Sequence, residues 1–281
     1  MTRKITLAAV LALLLAPQTF AGTWHKSVAA AQKVAREKNQ LILIDMFAQW
    51  CGWCHRFERE VFPSAVFQAA TKDIVLLRLD TEDGKEGTEY SRKFGVTSLP
   101  TFVLVTHDLS IAGLIRGYAP PTDFVKSLKD TRTKYDDFLK RAKNEASFAK
   151  DPVQRLALAK EYVTRGAYDK GELRLRKLIT EKNIPVVIRD EAYYHLALSF
   201  TVQNKFNEAL KTIRELTSHS KVGESVERAR ILAGQIYMQQ GNWLNAANEF
   251  RSFKTTYPNS PLIRTVDSVL PGIEKRLAMG R

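Results

Sequence analysis

The sequence is poor in sulfur, with two cysteines and four methionines among 281 residues. A closed structural zinc site needs four nitrogen or sulfur ligands, and because no second pair of cysteines exists, the composition argues against such a site. The two cysteines, Cys51 and Cys54, are separated by only two residues. A disulfide between them would close one local turn and remove little entropy from the unfolded chain, so a purely structural bridge explains the pair poorly.

Long apolar runs are scarce beyond the start of the chain. Segment 1–21 begins with basic residues, continues as the apolar run Ile5–Leu15 and ends in the small-residue pattern Thr19-Phe20-Ala21. This order predicts a signal peptide cleaved after Ala21, with an uncleaved membrane anchor as the alternative. No later run approaches the length needed to span a bilayer. We therefore expect a soluble mature protein in the bacterial periplasm, which is an oxidising compartment.

Both cysteines belong to the segment Trp50–His55, which directly follows the apolar run Leu41–Phe47. This order places Cys51 where a helix begins, and the helix dipole and free backbone N–H groups stabilise a thiolate there. Cys51 is therefore the candidate nucleophile. Cys54 lies one turn further along and is the candidate resolving thiol, which attacks a mixed disulfide at Cys51 and releases the partner. We predict that the redox-active pair works with no bound cofactor and no metal.

The same residues allow a second interpretation. Cys51, Cys54 and His55 match the attachment signature of a c-type haem. A haem would need a second axial ligand or an open distal pocket, and the methionines after Met1 are poorly placed as ligands. They lie inside a predicted strand, in a predicted helix and near the C-terminus: Met46, Met238 and Met279. A Soret band in the purified protein would identify a haem carrier.

Two segments together resemble a known family. Residues 43–54 resemble the active-site segment of the thioredoxin superfamily, and residues 97–103 resemble its cis-proline loop. Two signatures in the right order, about fifty residues apart, are more specific than one pair of cysteines. The resemblance implies that Asp45 is the buried carboxylate that relays a proton to and from the resolving thiol. It also implies that Pro100 is a cis-proline beside the disulfide and that Leu99 offers its backbone to an extended substrate.

The chemistry of the residues supports these assignments. A carboxylate inside an apolar strand should have a raised pKa and can act as a general acid or base, which fits Asp45. A cis X-Pro bond is costly and is kept where it shapes a turn. The alternatives are an ordinary hydrogen-bonded aspartate at a strand end and an ordinary trans turn at Pro100.

The residues around the cysteines differ from ordinary thioredoxin. Gly52-Trp53 stands where thioredoxin has Gly-Pro and where the strong periplasmic oxidases have Pro-His. A tryptophan brings no formal charge to stabilise a thiolate, so we expect a reductant-like or intermediate potential. Trp50, Gly52 and Trp53 are, with Leu99, the candidate substrate-binding residues. His55 could add a titrating cation or simply face solvent.

The chain is long enough for two domains. Residues 22–130 alternate helix and strand patterns in the thioredoxin order, and from about residue 131 the strand signals vanish. Three aromatic residues, Tyr168, Phe206 and Trp243, recur at intervals of 38 and 37 residues, each shortly after a glycine or asparagine. This pattern resembles tetratricopeptide repeats. We predict an α/β thioredoxin fold over 22–130, a linker helix over 131–150 and an all-α repeat domain over 151–281, with a plain helical bundle as the alternative to the repeats.

The charge belongs to the second half of the chain. Residues 131–281 hold 27 Lys and Arg against 17 Asp and Glu, whereas the redox domain is close to neutral. The export signal argues against nucleic acid as a partner. Solvation, anionic lipid or an acidic client protein are the remaining explanations of this basicity, and stacked repeats offer a concave face to a protein partner.

The leading hypothesis is a periplasmic thiol-disulfide oxidoreductase, a reductase or isomerase rather than a strong oxidase, that acts on protein thiol and disulfide clients. A dithiol kept reduced in the periplasm needs an electron supply, so we expect a membrane electron donor. The alternative is an envelope adaptor or assembly protein whose disulfide is structural or regulatory.

Overall fold

The structure is a computed structural model, and it describes residues 23–280. The predicted signal peptide, 1–21, lies outside the described residues. The chain divides into two compact units. One extends to Phe102 and also contains Arg116–Ser127, and the other consists of Val103–Ile115 and Leu128–Arg281. Within residues 23–280, no helix is both long enough and apolar enough to cross a membrane.

The N-terminal part has the expected mixture of strands and helices. Its elements are β1 (Trp24–His25), α1 (Val28–Lys38), β2 (Leu41–Phe47), α2 (Gly52–Glu60), α3 (Ala65–Thr71), β3 (Ile74–Asp80), α4 (Glu86–Lys93), β4 (Thr101–Val105), β5 (Ile111–Arg116) and α5 (Pro121–Lys143). The α/β prediction is confirmed. The short strand β1 was not predicted.

The strands form one sheet in the order β1-β3-β2-β4-β5. The central pair, β2 and β3, is parallel, with register from Leu41 opposite Ile74 to Phe47 opposite Asp80. Most residues of both strands are buried, because a parallel pair covered on both faces needs apolar side chains on both. The end of β2 leads directly into the turn before α2. The cysteines therefore lie at the C-terminal end of the central strand of the sheet. The active-site helix stops at Glu60, before Pro63, as a proline inside a helix would require.

Helix α5 is longer than the closing helix expected near residue 129. It starts with Pro121 in the first turn and continues to Lys143. A proline is favoured at the first helical position, and no glycine or proline follows within the helix to end it. Apolar residues at helical spacing, among them Leu128, Tyr135 and Phe138, are buried along its length. One continuous helix therefore covers the predicted boundary at 130/131 and much of the predicted linker, and the domain boundaries stay predictions.

The C-terminal part contains helices only. After a short 3-10 turn, Glu145–Phe148, its helices are α6 (Pro152–Thr164), α7 (Tyr168–Thr180), α8 (Val186–Val202), α9 (Phe206–His219), α10 (Glu224–Gln239), α11 (Trp243–Thr256) and α12 (Ile263–Ala278). The consecutive helices pack on each other around a core of buried aliphatic and aromatic residues. The prediction of an all-α domain is confirmed.

The turns inside the helix pairs explain the repeat in the sequence. Gly166, Asn204 and Gly241 have positive φ angles of 75°, 59° and 71°. Glycine and asparagine tolerate this left-handed conformation best, and it lets the chain reverse after a helix. In each case the second helix of the pair begins two residues later, at Tyr168, Phe206 or Trp243. The predicted aromatic positions therefore mark structurally equivalent helix starts.

Candidate active site

Cys51 and Cys54 form a disulfide at the start of α2. Both residues are buried. Cys51 is the N-cap of the helix, and its sulfur accepts a hydrogen bond from the Cys54 backbone N–H at 3.1 Å. The backbone donors at a helix N-terminus favour negative charge, so this position stabilises a Cys51 thiolate when the disulfide is reduced.

Two tryptophans lie exposed beside the disulfide. Trp50 is 69% exposed and Trp53 is 55% exposed. The Trp50 indole N–H donates to Glu82 Oε1 at 2.9 Å. The Trp53 ring lies 5.3 Å from the Tyr118 ring, and the Arg56 guanidinium lies 4.7 Å from the centre of that second ring. The two tryptophans are therefore held by neighbours while they present apolar surface to solvent. Sequence reasoning missed Tyr118 and Arg56.

The second predicted signature lies at the same site. The Leu99–Pro100 peptide bond is cis, and the Gly117 backbone N–H donates to the Pro100 carbonyl at 2.9 Å. Leu99 packs against the buried cluster that contains both cysteines. Gly52 has no atom within 4 Å of the place where a Cβ would lie, so its position is open. The chemical roles assigned to these residues stay predictions.

Asp45 lies on β2 and is buried. Its Oδ2 is 3.0 Å from Nε of Arg78 on β3, but the Nε–H is not aligned for a hydrogen bond, so the contact is an ion pair. Its Oδ1 has no hydrogen-bond partner. Burial raises the pKa of Asp45 to about 7, although Arg78 opposes the increase. A carboxyl group with this pKa can both donate and accept a proton near neutral pH.

Arg78 connects Asp45 to the surface. It donates from Nη1 to Glu58 Oε1, and its guanidinium lies 3.9 Å from the centre of the Phe47 ring. Burial pushes the pKa of Glu58 upward, but the hydrogen bonds from Arg78 and His55 outweigh it and the pKa is lowered. Sequence reasoning missed both Arg78 and Glu58. One signal for Arg78 was present, since it interrupts the apolar strand β3 as Asp45 interrupts β2.

His55 does not simply face solvent. Its Nδ1 lies 3.2 Å from Glu58 Oε2 and its Nε2 lies 2.8 Å from the Gln49 carbonyl oxygen. Its pKa is raised, first by the Gln49 carbonyl and then by Glu58. The Cys51 and Cys54 sulfurs are bonded to each other, and both ring nitrogens of His55 have protein partners. Within residues 23–280, no group of three or more histidine, cysteine or acidic residues is placed to hold a metal ion.

Comparison with known proteins agrees with the two parts of the fold. A family model described as a thioredoxin-like domain matches residues 28–132, and a tetratricopeptide repeat model matches residues 228–260. The chain is 30% identical over 105 residues to the thiol:disulfide interchange protein DsbD of Pasteurella multocida, which covers 36% of this chain and 18% of that protein.

Shorter relatives are matched over more of their length. Thioredoxin 1 of Plasmodium falciparum is 33% identical over 78 residues, which is 28% of this chain and 69% of that protein. Among solved structures, a DsbH oxidoreductase aligns with 43% of this chain and 92% of its own at 16% identity and a TM-score of 0.37. The chain spans less than a fifth of the length of the DsbD proteins that it matches.

Proposed function

Because this chain belongs to the thioredoxin superfamily, we propose that it is a thiol-disulfide oxidoreductase of the bacterial periplasm that exchanges disulfides with protein clients. The observation that carries the proposal is the Cys51–Cys54 disulfide at the N-terminus of α2, with Leu99 of the cis-proline loop packed against it. A cysteine at a helix N-terminus is the one whose thiolate is stabilised, and the thiolate is the nucleophile in disulfide exchange.

The exchange proceeds in two displacements. In the reduced protein the Cys51 thiolate attacks one sulfur of a client disulfide, a mixed disulfide forms, and the other client sulfur leaves as a thiolate. The Cys54 thiol then gives its proton to the Asp45 carboxylate, and the Cys54 sulfur attacks Cys51. The second client sulfur leaves and the Cys51–Cys54 disulfide is formed. Two electrons have moved from the cysteine pair to the client.

The proposed direction of electron flow is from the cysteine pair to the client, and the surroundings of the cysteines support it. Gly52-Trp53 contributes no positive charge that would stabilise the Cys51 thiolate strongly, as a strong oxidant requires. A reductase or isomerase role fits this composition. Such a role in the periplasm requires a continuous supply of electrons, which a membrane donor would deliver to the oxidised pair. The signal-peptide pattern of segment 1–21 supports the periplasmic location.

The helices α6 to α12 supply a surface for a protein partner. Stacked helix pairs expose one helix of each pair along a common face, which is how repeat proteins bind partners. Residues 131–281 carry ten more basic than acidic residues, 27 against 17. An acidic client protein therefore complements this part of the chain, and holding the client there would raise its concentration near the disulfide.

Trapping of mixed disulfides tests the proposal. In a Cys54→Ser variant the mixed disulfide at Cys51 cannot be resolved, so clients should remain covalently bound and be released by dithiothreitol. The double variant with Cys51→Ser is the matched control, since it lacks the nucleophile. Mass spectrometry of the captured proteins identifies the clients. If the Cys54→Ser chain captured no more protein than the control in the cell envelope, the oxidoreductase proposal would be wrong.

The reduction potential separates the directions and the adaptor alternative. The fluorescence of Trp50 and Trp53 can report a titration in glutathione buffers. A potential near that of thioredoxin, about −270 mV, supports a reductase, whereas one near about −120 mV would indicate a disulfide donor. An adaptor with a structural disulfide would resist mild thiols altogether.

A further inference from the structure

We propose that His55 is a positioning residue that controls the ionisation of the buried Asp45 through Glu58 and Arg78. The inference deepens the proposed function, because Asp45 is the proton acceptor for Cys54 in the exchange reaction. It rests on a continuous series of side-chain contacts between the buried carboxyl group and the protein surface.

The four side chains alternate in charge. Arg78 Nε lies 3.0 Å from Asp45 Oδ2, and Arg78 Nη1 donates to Glu58 Oε1. The other carboxylate oxygen of Glu58, Oε2, lies 3.2 Å from His55 Nδ1, and His55 Nε2 lies 2.8 Å from the Gln49 carbonyl oxygen. Arg78 thus lies between two carboxyl groups, and Glu58 lies between two cationic groups. A change of charge on one group therefore changes the electrostatic potential at the next group in the series.

The series leads from the interior to solvent. The exposed fraction of the side chain is 2% for Asp45, 20% for Arg78, 36% for Glu58 and 39% for His55. Asp45 has no direct access to water, so its ionisation depends on its neighbours rather than on bulk solvent. His55 is the member of the series that exchanges protons freely with water near neutral pH.

The contacts of His55 specify its protonation state. The Gln49 carbonyl oxygen only accepts, so the Nε2 of His55 must carry a hydrogen. A neutral ring would then present the lone pair of Nδ1 to the Glu58 carboxylate, which also only accepts. A doubly protonated ring satisfies both contacts, since both nitrogens donate. The raised pKa of His55 agrees with this geometry and has the same two causes.

Protonated His55 lowers the cost of ionising Asp45. When the ring is cationic, both His55 and Arg78 balance the negative charge of Glu58. Glu58 then offsets less of the attraction between Arg78 and the Asp45 carboxylate. When the ring loses its charge, Glu58 is balanced by Arg78 alone, and its repulsion of the Asp45 carboxylate is less compensated. Glu58 is already among the groups that raise the pKa of Asp45. Loss of the His55 charge should therefore favour the protonated form of Asp45.

Other charged groups also face this region. An open cavity of about 390 Å³ adjoins the series, and basic and acidic side chains from three parts of the first unit line it. Its lining includes Lys26, His55, Glu58, Arg78, Asp80 and Asp83. Lys26, Asp80 and Asp83, which lie outside the series, are the same in all variants below. A change confined to one member of the series therefore reports the coupling itself.

The test is the titration of the Asp45 carboxyl carbon, followed by NMR in the full-length oxidised protein. We expect His55→Gln to raise the apparent pKa of Asp45 by about half a unit, the order of magnitude for one partly screened charge. Glu58→Gln removes a negative charge and should lower it. His55→Lys retains a cation beside Glu58 and should restore the wild-type value. Arg59→Gln removes a charge from the same helix outside the series and is the matched control.

The signs of the shifts decide the outcome. The inference is wrong if His55→Gln leaves the Asp45 titration unchanged. It is also wrong if His55→Lys shifts the titration as much as His55→Gln does, because both variants remove the imidazole ring and an equal shift would mean that the ring, and not its charge, matters. The pH profile of insulin-disulfide reduction by the same variants separates this inference from the proposed function. Exchange with an unshifted Asp45 would refute the role of His55 alone, whereas shifted titrations without exchange at any pH would refute the proposed function alone.

Discussion

Asp45 and Arg78 lie directly opposite each other in the register of the parallel strands β2 and β3, and Arg78 Nε lies 3.0 Å from Asp45 Oδ2. The register thus gives the buried carboxyl group a cationic neighbour. The neighbour meets only one of the two carboxyl oxygens, since Oδ1 has no hydrogen-bond partner. Burial consequently prevails over the ion pair and raises the pKa of the carboxyl group to about 7.

This raised pKa makes the stability of the oxidised protein depend on pH. The pKa of Asp45 is 3.8 in its unperturbed state and about 7 in the folded chain, so the folded state binds the proton more tightly. The contribution of this tighter proton binding to the free energy of unfolding is fully present below about pH 4. It decreases as the pH rises and is lost once the pH passes through about 7. The loss can reach about 4 kcal/mol if the full difference is expressed.

The variant Asp45→Asn should remove that dependence. Its stability relative to the wild type should increase between pH 5 and pH 8, as measured by urea unfolding of the oxidised proteins. Asp151→Asn is the matched control. Hydrogen bonds from Gln154 at the start of α6 lower the pKa of Asp151, so this carboxylate stays ionised between pH 5 and pH 8 and its substitution should leave the pH dependence unchanged. A wild-type protein that lost no more stability than Asp45→Asn over this range would contradict the prediction.

Arg165, at the end of α6, bonds to the edge strand β5 within the second compact unit. Its Nη1 donates to the carbonyl oxygens of Ile111 at 3.0 Å and Ala112 at 2.8 Å, and the Ile111 N–H donates to the Arg165 carbonyl at 2.7 Å. Arg165→Ala should reduce the free energy of unfolding by about 2–3 kcal/mol, because it leaves two strand carbonyls without their donor. Faster amide hydrogen exchange at Ile111 would locate the effect.

The control for Arg165 is Arg141. Both arginines bond to Glu161, but the Arg165 side chain is 13% exposed and that of Arg141 is 51% exposed. Exposed ion pairs contribute little, so Arg141→Ala should change the free energy of unfolding by less than about 1 kcal/mol. Equal effects of the two substitutions would show that the carbonyl contacts of Arg165 are unimportant.

Two helical glycines should respond to alanine in opposite ways. A Cβ at Gly171 in α7 would lie 2.6 Å from Val163 Cγ2 and 3.1 Å from the Ala159 carbonyl oxygen. Gly171→Ala should therefore destabilise the protein by about 1–3 kcal/mol. Gly272 in α12 has nothing within 4 Å of this position, so Gly272→Ala should stabilise by up to about 1 kcal/mol through helix propensity. Thermal unfolding of both variants measures the difference, and shifts of the same sign would mean that α6 and α7 do not approach this closely.

Trp53 should contribute to recognition of protein clients. It is exposed beside Cys51 and is held against Tyr118, so it can bury a large apolar area at little entropic cost. Trp53→Ala should lower kcat/KM for reduction of a protein disulfide by about tenfold, corresponding to a truncation cost of about 1–2 kcal/mol. Reduction of a small aromatic disulfide such as dithionitrobenzoate is the control reaction, because it needs no extended contact. An equal loss with both substrates would place the effect on the cysteine chemistry instead.

Local sequence patterns were sufficient to predict those features of the structure that depend on a few consecutive residues. The spacing of Cys51 and Cys54 after an apolar strand identified the disulfide and the helix that begins there, because both depend on a few consecutive residues. The aromatic period located the starts of α7, α9 and α11, since each follows a left-handed turn that glycine or asparagine favours. The role of Asp45 is implied by the resemblance to the thioredoxin active-site segment, and the conflict between a carboxylate and the apolar strand around it supports that assignment.

Local sequence patterns could not predict the contacts between residues far apart in the chain. Glu58 and Arg78 are separated by 20 residues, and Trp53 and Tyr118 by 65. The strand register and the packing of α2 on the sheet bring these pairs together, and neither is encoded in a short segment. Arg78 interrupts an apolar strand as visibly as Asp45 does, but its partners became identifiable only once β2 and β3 were aligned. The chemistry of the cysteine pair thus follows from neighbouring residues, whereas its electrostatic environment follows from long-range packing, because charges act through space and not along the chain.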